Sequence, residues 1–501
     1  MNNKYVTDMT KGNELALLIK FTIPMLLGNL FQQFYNLADS LIVGRYGGKY
    51  GLAAIGTVGS LNFLFFSLCL GMASGVGIMI SQHFGAGKEE LVKKTVGNAV
   101  VITIVVGLAM SLISVIFARG ILVLLHVPDE CMSEALIYMR VVCGGTFLVA
   151  GYNMISSILR ALGDSRTPLI FLGVACGINI VLDLITVKGL GWGAGGAAVA
   201  TIISQTVAMI GSIIMGVKTN AYLKLESRHK KIDPNIIIKA TRLGIPLALQ
   251  NALIAFSCVS LQRVVNGFGT DVLTAYTVCG KIEQLVQQPY GSLGTAVSTF
   301  AGQNIGAGKL DRVKSGCLKS VILVAVFSAT MFAVMVIFGE SVISIFTDQT
   351  RAIEIGAKGL RITGMFYFFL GLIYVFRGML NGVGDAAFAL INGVTEVVGR
   401  IGFATILVAI PAVGMWGCWY TNALTWAITG VACVLRYKFG NWRKTYQGQS
   451  SEEIKAVSEQ VIPETKLYFV LSGLTANSMI PCMIVMVTSI IPGRGKLCYV
   501  D

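Results

Sequence analysis

The sequence predicts an all-α polytopic membrane protein, built as two related six-helix bundles with a central cleft between them. Three observations lead to this prediction: an apolar composition, twelve long apolar segments, and a set of motifs that recur at one spacing. Of the 501 residues, 54% are hydrophobic and only 13% are charged, whereas soluble domains carry roughly 25% charged residues.

Twelve apolar segments are each long enough to cross a bilayer, which takes about 20 helical residues. The first of them is too long for the apolar part of a cleavable signal peptide. We therefore expect twelve spans, with approximate limits 15–43, 52–81, 96–118, 135–158, 168–187, 195–217, 243–266, 273–300, 316–338, 357–380, 387–410 and 414–436.

The basic residues, which give a formal net charge of +14, indicate how the spans are oriented. Lys and Arg are concentrated in the N-terminal segment, in the even-numbered loops and just after the last span, and they are sparse in the odd-numbered loops. Because positively charged loops remain on the cytoplasmic side, we expect a multi-pass protein of the cell membrane with a cytoplasmic N-terminus. The same placement explains the basic excess without a nucleic-acid partner.

Three motifs recur in one order at nearly one offset, which indicates an internal duplication. QHFGAGKEE at 82–90 returns as QNIGAGKLD at 303–311, RALGDS at 160–165 returns as NGVGDA at 381–386, and Pro24 matches Pro246. Six spans per half is an even number, so the two halves are parallel repeats, and such halves face each other across a cleft. The predicted units are an N-terminal bundle (1–217), a basic linker (218–242), a C-terminal bundle (243–445) and a tail (446–501).

The motif FGAGKEE at 84–90 has the glycines and lysine of a phosphate-binding loop, but its spacing excludes that function. A P-loop reads GxxxxGK[ST] between a strand and a helix. Here a glutamate follows the lysine, apolar spans flank the motif, and the motif occurs twice. We interpret it as a tight turn between spans.

With these features the chain resembles the multidrug and toxic compound extrusion (MATE) transporters over about residues 10–440. The resemblance rests on the twelve-span duplication, on IPMLLGNLFQQFYNLADSLIVGRYG in span one, on the paired QxxGAGK loops, and on RALGDSRTP and NIVLDLITV. It implies a V-shaped pair of six-helix bundles. It also implies a secondary antiporter that exports organic cations or amphiphilic drugs in exchange for Na⁺ or H⁺.

Two acids inside apolar spans are the candidate coupling residues, because a charge inside the bilayer is costly and usually functional. Asp39 has Tyr35 one helical turn before it, and Asp183 has Asn179 one turn before it. Thr201 adds a hydroxyl. Asp39, Asn179, Asp183 and Thr201 offer the oxygen ligands that Na⁺ prefers, and two close carboxylates also suit a proton. The resemblance implies an N-terminal cation site of the DinF-like and archaeal type at these five positions.

The predicted cargo cleft is less well defined by the sequence. Aromatic, methionine and polar side chains suit flat cations. The candidates are Asn153, Met154, Phe34, Gln250, Tyr276 and Glu283. Glu396 and Arg400 are four residues apart, which is typical of a structural ion pair within one helix.

The sequence also bears on two alternative functions. A flippase for lipid-linked oligosaccharides would use basic residues in the cleft, and Arg263, Lys281 and Arg377 keep that alternative open. An enzyme is not expected, because no catalytic constellation is visible. The eleven cysteines and three histidines form no metal-binding pattern, so we expect no cofactor besides the coupling ion, and we expect a monomer. A last apolar stretch, 467–491, is long enough for an extra span.

Overall fold

The computed structural model describes residues 5–48, 51–124, 127, 129–440 and 442. Within these residues the protein is helical and has no strand. The predicted tail, including its apolar stretch 467–491, lies outside the described residues.

In the described part of the chain, fifteen α-helices build the two halves, and a π-helical segment, Leu184–Gly189, extends α7. The first half comprises α1 (Glu14–Tyr46), α2 (Gly51–Gly85), α3 (Glu89–Ile116), α4 (Ala118–Leu124), α5 (Asp129–Gly144), α6 (Thr146–Ala161), α7 (Arg166–Asp183) and α8 (Gly193–Thr219). The second half comprises α9 (Pro234–Val265), α10 (Thr270–Gly306), α11 (Leu310–Ser344), α12 (Thr350–Gly364), α13 (Tyr367–Gly382), α14 (Ala386–Ala409) and α15 (Gly417–Phe439).

Each of the twelve predicted spans falls on one of these helices or on a bent pair of them. Among the described residues, nine helices are long and apolar enough to cross a membrane, and two bent pairs raise the number to eleven. The remaining predicted span, 273–300, lies in α10, which is 37 residues long but more polar than those nine helices. The protein is therefore a polytopic all-α membrane protein.

Spans four and ten are broken helices rather than the continuous ones that the sequence predicts. Helices α5 and α6 meet at a 40° bend at Gly145, and α12 and α13 meet at a 49° bend at residues 365–366. The two bends differ by the repeat offset, so the break belongs to the duplicated unit. Glycine next to each break weakens helix continuity there.

The predicted basic linker, 218–242, is more structured than a solvated connection. It contains two 3₁₀ turns, Ala221–Leu223 and Ser227–Lys230, and the first turns of α9. His229 is buried within it, and its Nε2 lies 3.1 Å from a carboxylate oxygen of Glu90 on α3. The segment therefore packs against the first half.

The two halves pack through α1 and α2 on one side and α9 and α10 on the other. Small residues allow the backbones to approach closely, as is common between membrane helices. A Cβ on Gly75 would lie 2.8 Å from the carbonyl oxygen of Ala240 and from the amide nitrogen of Gly244. The contact therefore depends on glycine.

The duplicated GAGK turns lie together at one end of the molecule, which we call the GAGK end. Gly87 and Gly308 have φ angles of +70° and +73°, a backbone conformation that glycine adopts without strain. Two positions earlier, at the last residue of α2 and of α10, Gly85 lies against the carbonyl of Gln303, and Gly306 lies against the carbonyl of Gln82. The glycines thus serve both the turn and the contact between the halves.

Two equivalent glutamines bond across the halves just above these glycines. Gln82 Nε2 donates to the carbonyl oxygen of Gly382 at 3.0 Å, and Gln303 Nε2 donates to that of Ala161 at 2.9 Å. Donors and acceptors are related by the same offset of 221 residues, since 82 matches 303 and 161 matches 382. The duplication therefore extends to individual hydrogen bonds.

The N-terminal segment closes the GAGK end further. Met9 is fully buried, its amide donates to Gln303 Oε1 at 2.9 Å, and its carbonyl accepts from Asn304 Nδ2 at 3.1 Å. Lys309 Nζ donates to the carbonyl of Thr10 at 2.8 Å. The lysine of the second turn thus holds the N-terminal chain rather than an anion.

Replacing Gly306 by alanine should lower the stability of the folded protein. The added Cβ would meet the backbone of Gln82, which cannot move freely, and overpacking of this kind costs about 1–3 kcal/mol. Thermal unfolding in detergent measures the effect as a lower midpoint. Gly402→Ala is the matched control because no atom lies within 4 Å of a Cβ built there; equal midpoints for the two variants would contradict the contact.

Candidate ion site and central cavity

The five predicted coupling residues come together inside the first half, on three helices that pack against each other. Tyr35 and Asp39 lie on α1, Asn179 and Asp183 on α7, and Thr201 on α8. Asn179 and Asp183 are fully buried, and Asp39 retains 8% of its exposure. The structure therefore places both acids in the interior of the bundle.

Contacts between the side chains define the site. Tyr35 donates its hydroxyl to Thr201 Oγ1 at 3.2 Å, which joins α1 to α8. The carboxyl groups of Asp39 and Asp183 are close enough to interact directly, and Tyr35 lies within electrostatic reach of both. Asn179 stands one turn before Asp183 on the same helix.

Several buried polar atoms of this site have no hydrogen-bond partner among the described residues. They are Asp39 Oδ1, both carboxylate oxygens of Asp183 and both amide atoms of Asn179. Buried polar groups are normally satisfied, and a buried carboxylate without a counter-charge is costly. The arrangement suits either of two ions. A Na⁺ ion would bind carboxylate, amide and hydroxyl oxygens, whereas a proton would be held by the carboxyl pair.

The described residues contain no cluster of three or more histidine, cysteine, aspartate or glutamate side chains for a metal ion. The site offers only two carboxylates, so its chemistry differs from that of a transition-metal centre, where nitrogen or sulfur ligands dominate. A weakly held monovalent cation or a proton fits these ligands.

The local backbone at Asp183 is irregular. Helix α7 ends at this residue, and the π-helical segment Leu184–Gly189 follows directly. Such π segments are rare and often occur at functional sites. The widened turn lies between Asp183 and α8, which carries Thr201.

Tyr138 on α5 belongs to the same site, although the sequence analysis does not identify it. It is buried and lies within electrostatic reach of Asp39, Tyr35 and Asp183. Glu134 stands one helical turn before it, but nothing in this local pattern relates Tyr138 to acids on other helices. Only the packing of α5 brings it to the acids.

A second feature, the central cavity, lies between the two halves and has a volume of about 380 Å³. The first half contributes α1, α2 and α6 to its wall, and the second contributes α9, α10 and α13. Ser81 and Ala161 line it next to the glutamine bonds of the GAGK end, so those bonds close the cavity on that side. Gln250, a predicted cleft residue, lines it and donates to Asn392 Oδ1 at 2.6 Å.

The other five predicted cleft residues lie away from the central cavity. Asn153 bonds its own helix through the carbonyl of Val149, and Met154 is buried with Met72 in the core of the first half. Phe34 is 62% exposed on α1. Aromatic side chains are equally compatible with lipid and with a cleft, so the sequence pattern alone does not distinguish the two.

Tyr276 and Glu283 are instead buried within the second half. Asn422 Nδ2 donates to the Tyr276 hydroxyl at 3.0 Å, and the ring packs edge-on against Trp419. Glu283 Oε1 has no hydrogen-bond partner among the described residues, although Arg400 lies within electrostatic reach. Both side chains therefore belong to the interior of the bundle.

The second half carries an arginine where the first half has the ion site. By the repeat offset of 221, Asn179 corresponds to Arg400 and Thr201 to Asn422. Arg400 donates Nη1 to Ser257 Oγ at 2.5 Å and Nε to Asn422 Oδ1 at 3.3 Å, and Nη1 lies 3.6 Å from Glu396. At the position equivalent to Asn179, the second half thus carries a permanently charged group of the protein.

Replacing Arg400 by methionine should destabilise the protein strongly. The change leaves Glu396 and Glu283 buried without a positive charge, and breaking a buried pair costs about 3–5 kcal/mol. Arg361→Met is the control, because Arg361 and Glu340 form an exposed pair at 3.6 Å, which is worth about 0–1 kcal/mol. Thermal unfolding in detergent gives the midpoint of each variant. Similar midpoints for the two variants would show that the Arg400 charge is not needed for stability.

Comparison with known proteins agrees with this architecture. The chain is 29% identical over 437 residues to the probable multidrug resistance protein YpnP of Bacillus subtilis, covering 87% of this chain and 97% of that protein. It is 23% identical over 441 residues to the multidrug export protein MepA of Staphylococcus aureus strain N315, covering 87% and 96%.

The fold also matches a solved structure, an outward-facing multidrug resistance MATE family transporter of the MOP superfamily. The TM-score is 0.81 at 22% identity, covering 89% of this chain and 99% of that one. The MatE family model matches twice, at residues 24–185 and 246–406, which coincide with the two halves. With this duplicated match over more than half of its length, the chain belongs to the MatE family of membrane transporters.

Proposed function

We propose that this protein is a multidrug efflux transporter that works as a secondary antiporter. In this proposal, Na⁺ or H⁺ entering at the carboxyl pair drives export of amphiphilic small molecules through the central cavity by alternating access. Its relatives named as multidrug resistance and export proteins support the cargo class.

The observation that carries the coupling proposal is the unsatisfied carboxyl pair of Asp39 and Asp183. Both groups are buried, and three of their four oxygens have no hydrogen-bond partner among the described residues. A membrane protein that keeps two such groups together bears a cost that a permanent structural role does not explain. Reversible neutralisation by a cation explains it.

The chemistry of the site accommodates one bound cation or a proton in a simple way. With the site empty, two negative charges at close range in a low dielectric repel each other. A proton on one carboxyl replaces that repulsion with a hydrogen bond between the two groups. A Na⁺ ion would instead be held by both carboxylates, with the Asn179 amide and the Thr201 hydroxyl as further oxygen donors.

Helix α1 links the ion site to the cargo cavity. Asp39 and Tyr35 face the ion site, whereas Asn29 on the same helix lines the cavity and donates to Ser292 Oγ of the second half at 3.0 Å. Ten residues separate Asn29 from Asp39, or about 15 Å along a helix. A change of charge at Asp39 that shifts α1 therefore acts on a contact between the halves.

The remaining predictions stay part of this proposal. We place the protein in the cell membrane with its N-terminus and the GAGK end in the cytoplasm, because the basic loops lie there. We expect it to act as a monomer without a cofactor other than the coupling ion and without enzymatic activity. The flippase alternative loses two of its three supporting residues, since Arg263 and Lys281 are exposed and outside the central cavity.

Replacing either Asp39 or Asp183 by asparagine should abolish ion-driven transport. Asparagine keeps the size of the side chain but cannot be charged or bind a transported proton. The purified protein is reconstituted in liposomes, and a Na⁺ gradient and a pH gradient are imposed in separate experiments. Dye fluorescence measures the uptake that each gradient drives. The gradient that drives the native protein identifies the coupling ion.

The matched control is Asp348→Asn, which makes the same substitution at an exposed position near the start of α12. It should transport at the native rate. Size-exclusion profiles show that the variants are folded. Native-like gradient-driven uptake by Asp39→Asn and Asp183→Asn would exclude the pair as the coupling site.

A further inference from the structure

Two arginine side chains reach the central cavity, one from each half. Arg160 lies at the end of α6 and Arg377 lies on α13, and both line the cavity. The described residues of the cavity wall include no aspartate or glutamate. The wall is otherwise built of serine, threonine, asparagine, glycine and a few larger side chains, so its formal charge is positive.

Neither arginine is neutralised by a carboxylate among the described residues. Arg377 lies over the ring of Tyr374 at 4.8 Å, which is a neutral partner. Other inward-facing arginines of the chain are paired: Arg400 with Glu396, and Arg436 with Asp385 through two bonds of 2.8 and 3.1 Å. Arg160 and Arg377 therefore depart from the protein's usual pattern.

The duplication does not account for these charges. By the offset of 221, Arg160 corresponds to Asn381 and Arg377 corresponds to Ser156, so neither has a charged counterpart. Two separate positions, one in each half, thus bring positive charge to the same cavity. An unpaired charge inside a membrane protein is costly and usually functional.

Several of the wall's other polar groups are already engaged in hydrogen bonds, and the two guanidinium groups are the only charged donors among the described residues of the wall. The hydroxyls of Ser81, Ser157 and Thr295 donate to backbone carbonyls, and the Gln250 amide donates to Asn392. Guanidinium groups match the planar arrangement of oxygens in carboxylate, sulfonate and phosphate groups. An organic cation would instead meet two like charges without a counter-charge.

We propose that the central cavity binds the oxyanion group of an amphiphilic small molecule between Arg160 and Arg377. This inference rests on the proposed efflux function and narrows its cargo from amphiphiles in general to anionic ones. It replaces the expectation of organic cations with a cargo of opposite charge at the same site.

An anionic cargo changes the energetics of the exchange. Export of one monovalent anion in exchange for one entering Na⁺ or H⁺ moves two positive charges inward in each cycle. Exchange of a monovalent cation for one such ion moves no net charge. A membrane potential that is negative inside therefore drives the anion exchange directly, whereas it leaves the cation exchange unaffected.

The test begins with binding to the purified full chain in detergent. Carboxyfluorescein serves as the anionic probe and ethidium as the cationic one, with fluorescence anisotropy as the readout. We expect carboxyfluorescein to bind, and its affinity to fall about tenfold or more in Arg160→Gln and in Arg377→Gln, as for loss of a desolvated charge partner. Arg263→Gln, an exposed arginine outside the cavity, should bind like the native protein.

Transport in liposomes then separates this inference from the proposed function. Ion-driven carboxyfluorescein uptake that rises with an imposed potential and falls in both cavity variants supports both. A second outcome is ion-driven ethidium uptake that is unchanged in the variants, together with no binding of carboxyfluorescein. This outcome overturns the inference of an anion site but agrees with the proposed efflux function. Carboxyfluorescein binding that depends on both arginines, with no gradient-driven transport of either dye, supports the site and contradicts the antiporter proposal.

A lipid could supply the same oxyanion, and one further arm distinguishes that source. Translocation of a fluorescent phosphatidic acid between leaflets is measured by its reduction with dithionite. Arginine-dependent translocation of this lipid, without dye transport, would support an anion site and assign it to a lipid-borne phosphate instead of a soluble molecule. Lipid translocation that persists unchanged in both arginine variants, without carboxyfluorescein binding, overturns the site.

Discussion

The close crossing of α2 and α10 at the GAGK end is the contact on which the arrangement of the two halves depends. At this crossing Gly85 and Gly306 each lie against the carbonyl of the other half's glutamine. The side chains of those glutamines, Gln82 and Gln303, then bond the ends of α13 and α6. Any larger side chain at the glycines would separate the halves and remove the bonds together.

This crossing explains where the cavity lies. The helices that meet at the GAGK end, α2, α6, α10 and α13, also form most of the cavity wall. Because the cross-half bonds are equivalent in both halves, they can form or break together, as alternating access between parallel repeats requires. The bonds involve neutral amides only, so their loss leaves no unpaired charge behind.

The two halves share a fold but differ in electrostatics. The first half keeps a carboxyl pair whose charge is unbalanced, whereas the second half balances Glu396 with Arg400, a group that stays protonated in proteins. In the proposed mechanism, the first half changes its charge by binding an ion, whereas the second half does not. Helix α1 carries both the candidate ion site and a cavity residue, Asn29, and in the proposed mechanism it transmits that change toward the cargo.

Much of this organisation could be predicted from the sequence, for identifiable reasons. The duplication left motifs at one offset, and the acids Asp39 and Asp183 stand out because charges are rare in apolar spans. The bends in spans four and ten could not be predicted, since glycine is common throughout the chain. Tyr138 and the cavity position of Arg160 depend on packing between helices, and apolar helix faces toward lipid and toward protein look alike in sequence.

The central claim is that the coupling ion binds at Asp39 and Asp183 in the first half. The most direct test records the transient current that a rapid jump in Na⁺ concentration or pH produces on a solid-supported membrane carrying the protein, with no cargo present. The account predicts a transient current from at least one jump, its loss in Asp39→Asn and Asp183→Asn, and its persistence in Arg160→Gln. A current that survives in a double Asp39→Asn, Asp183→Asn variant would contradict the account.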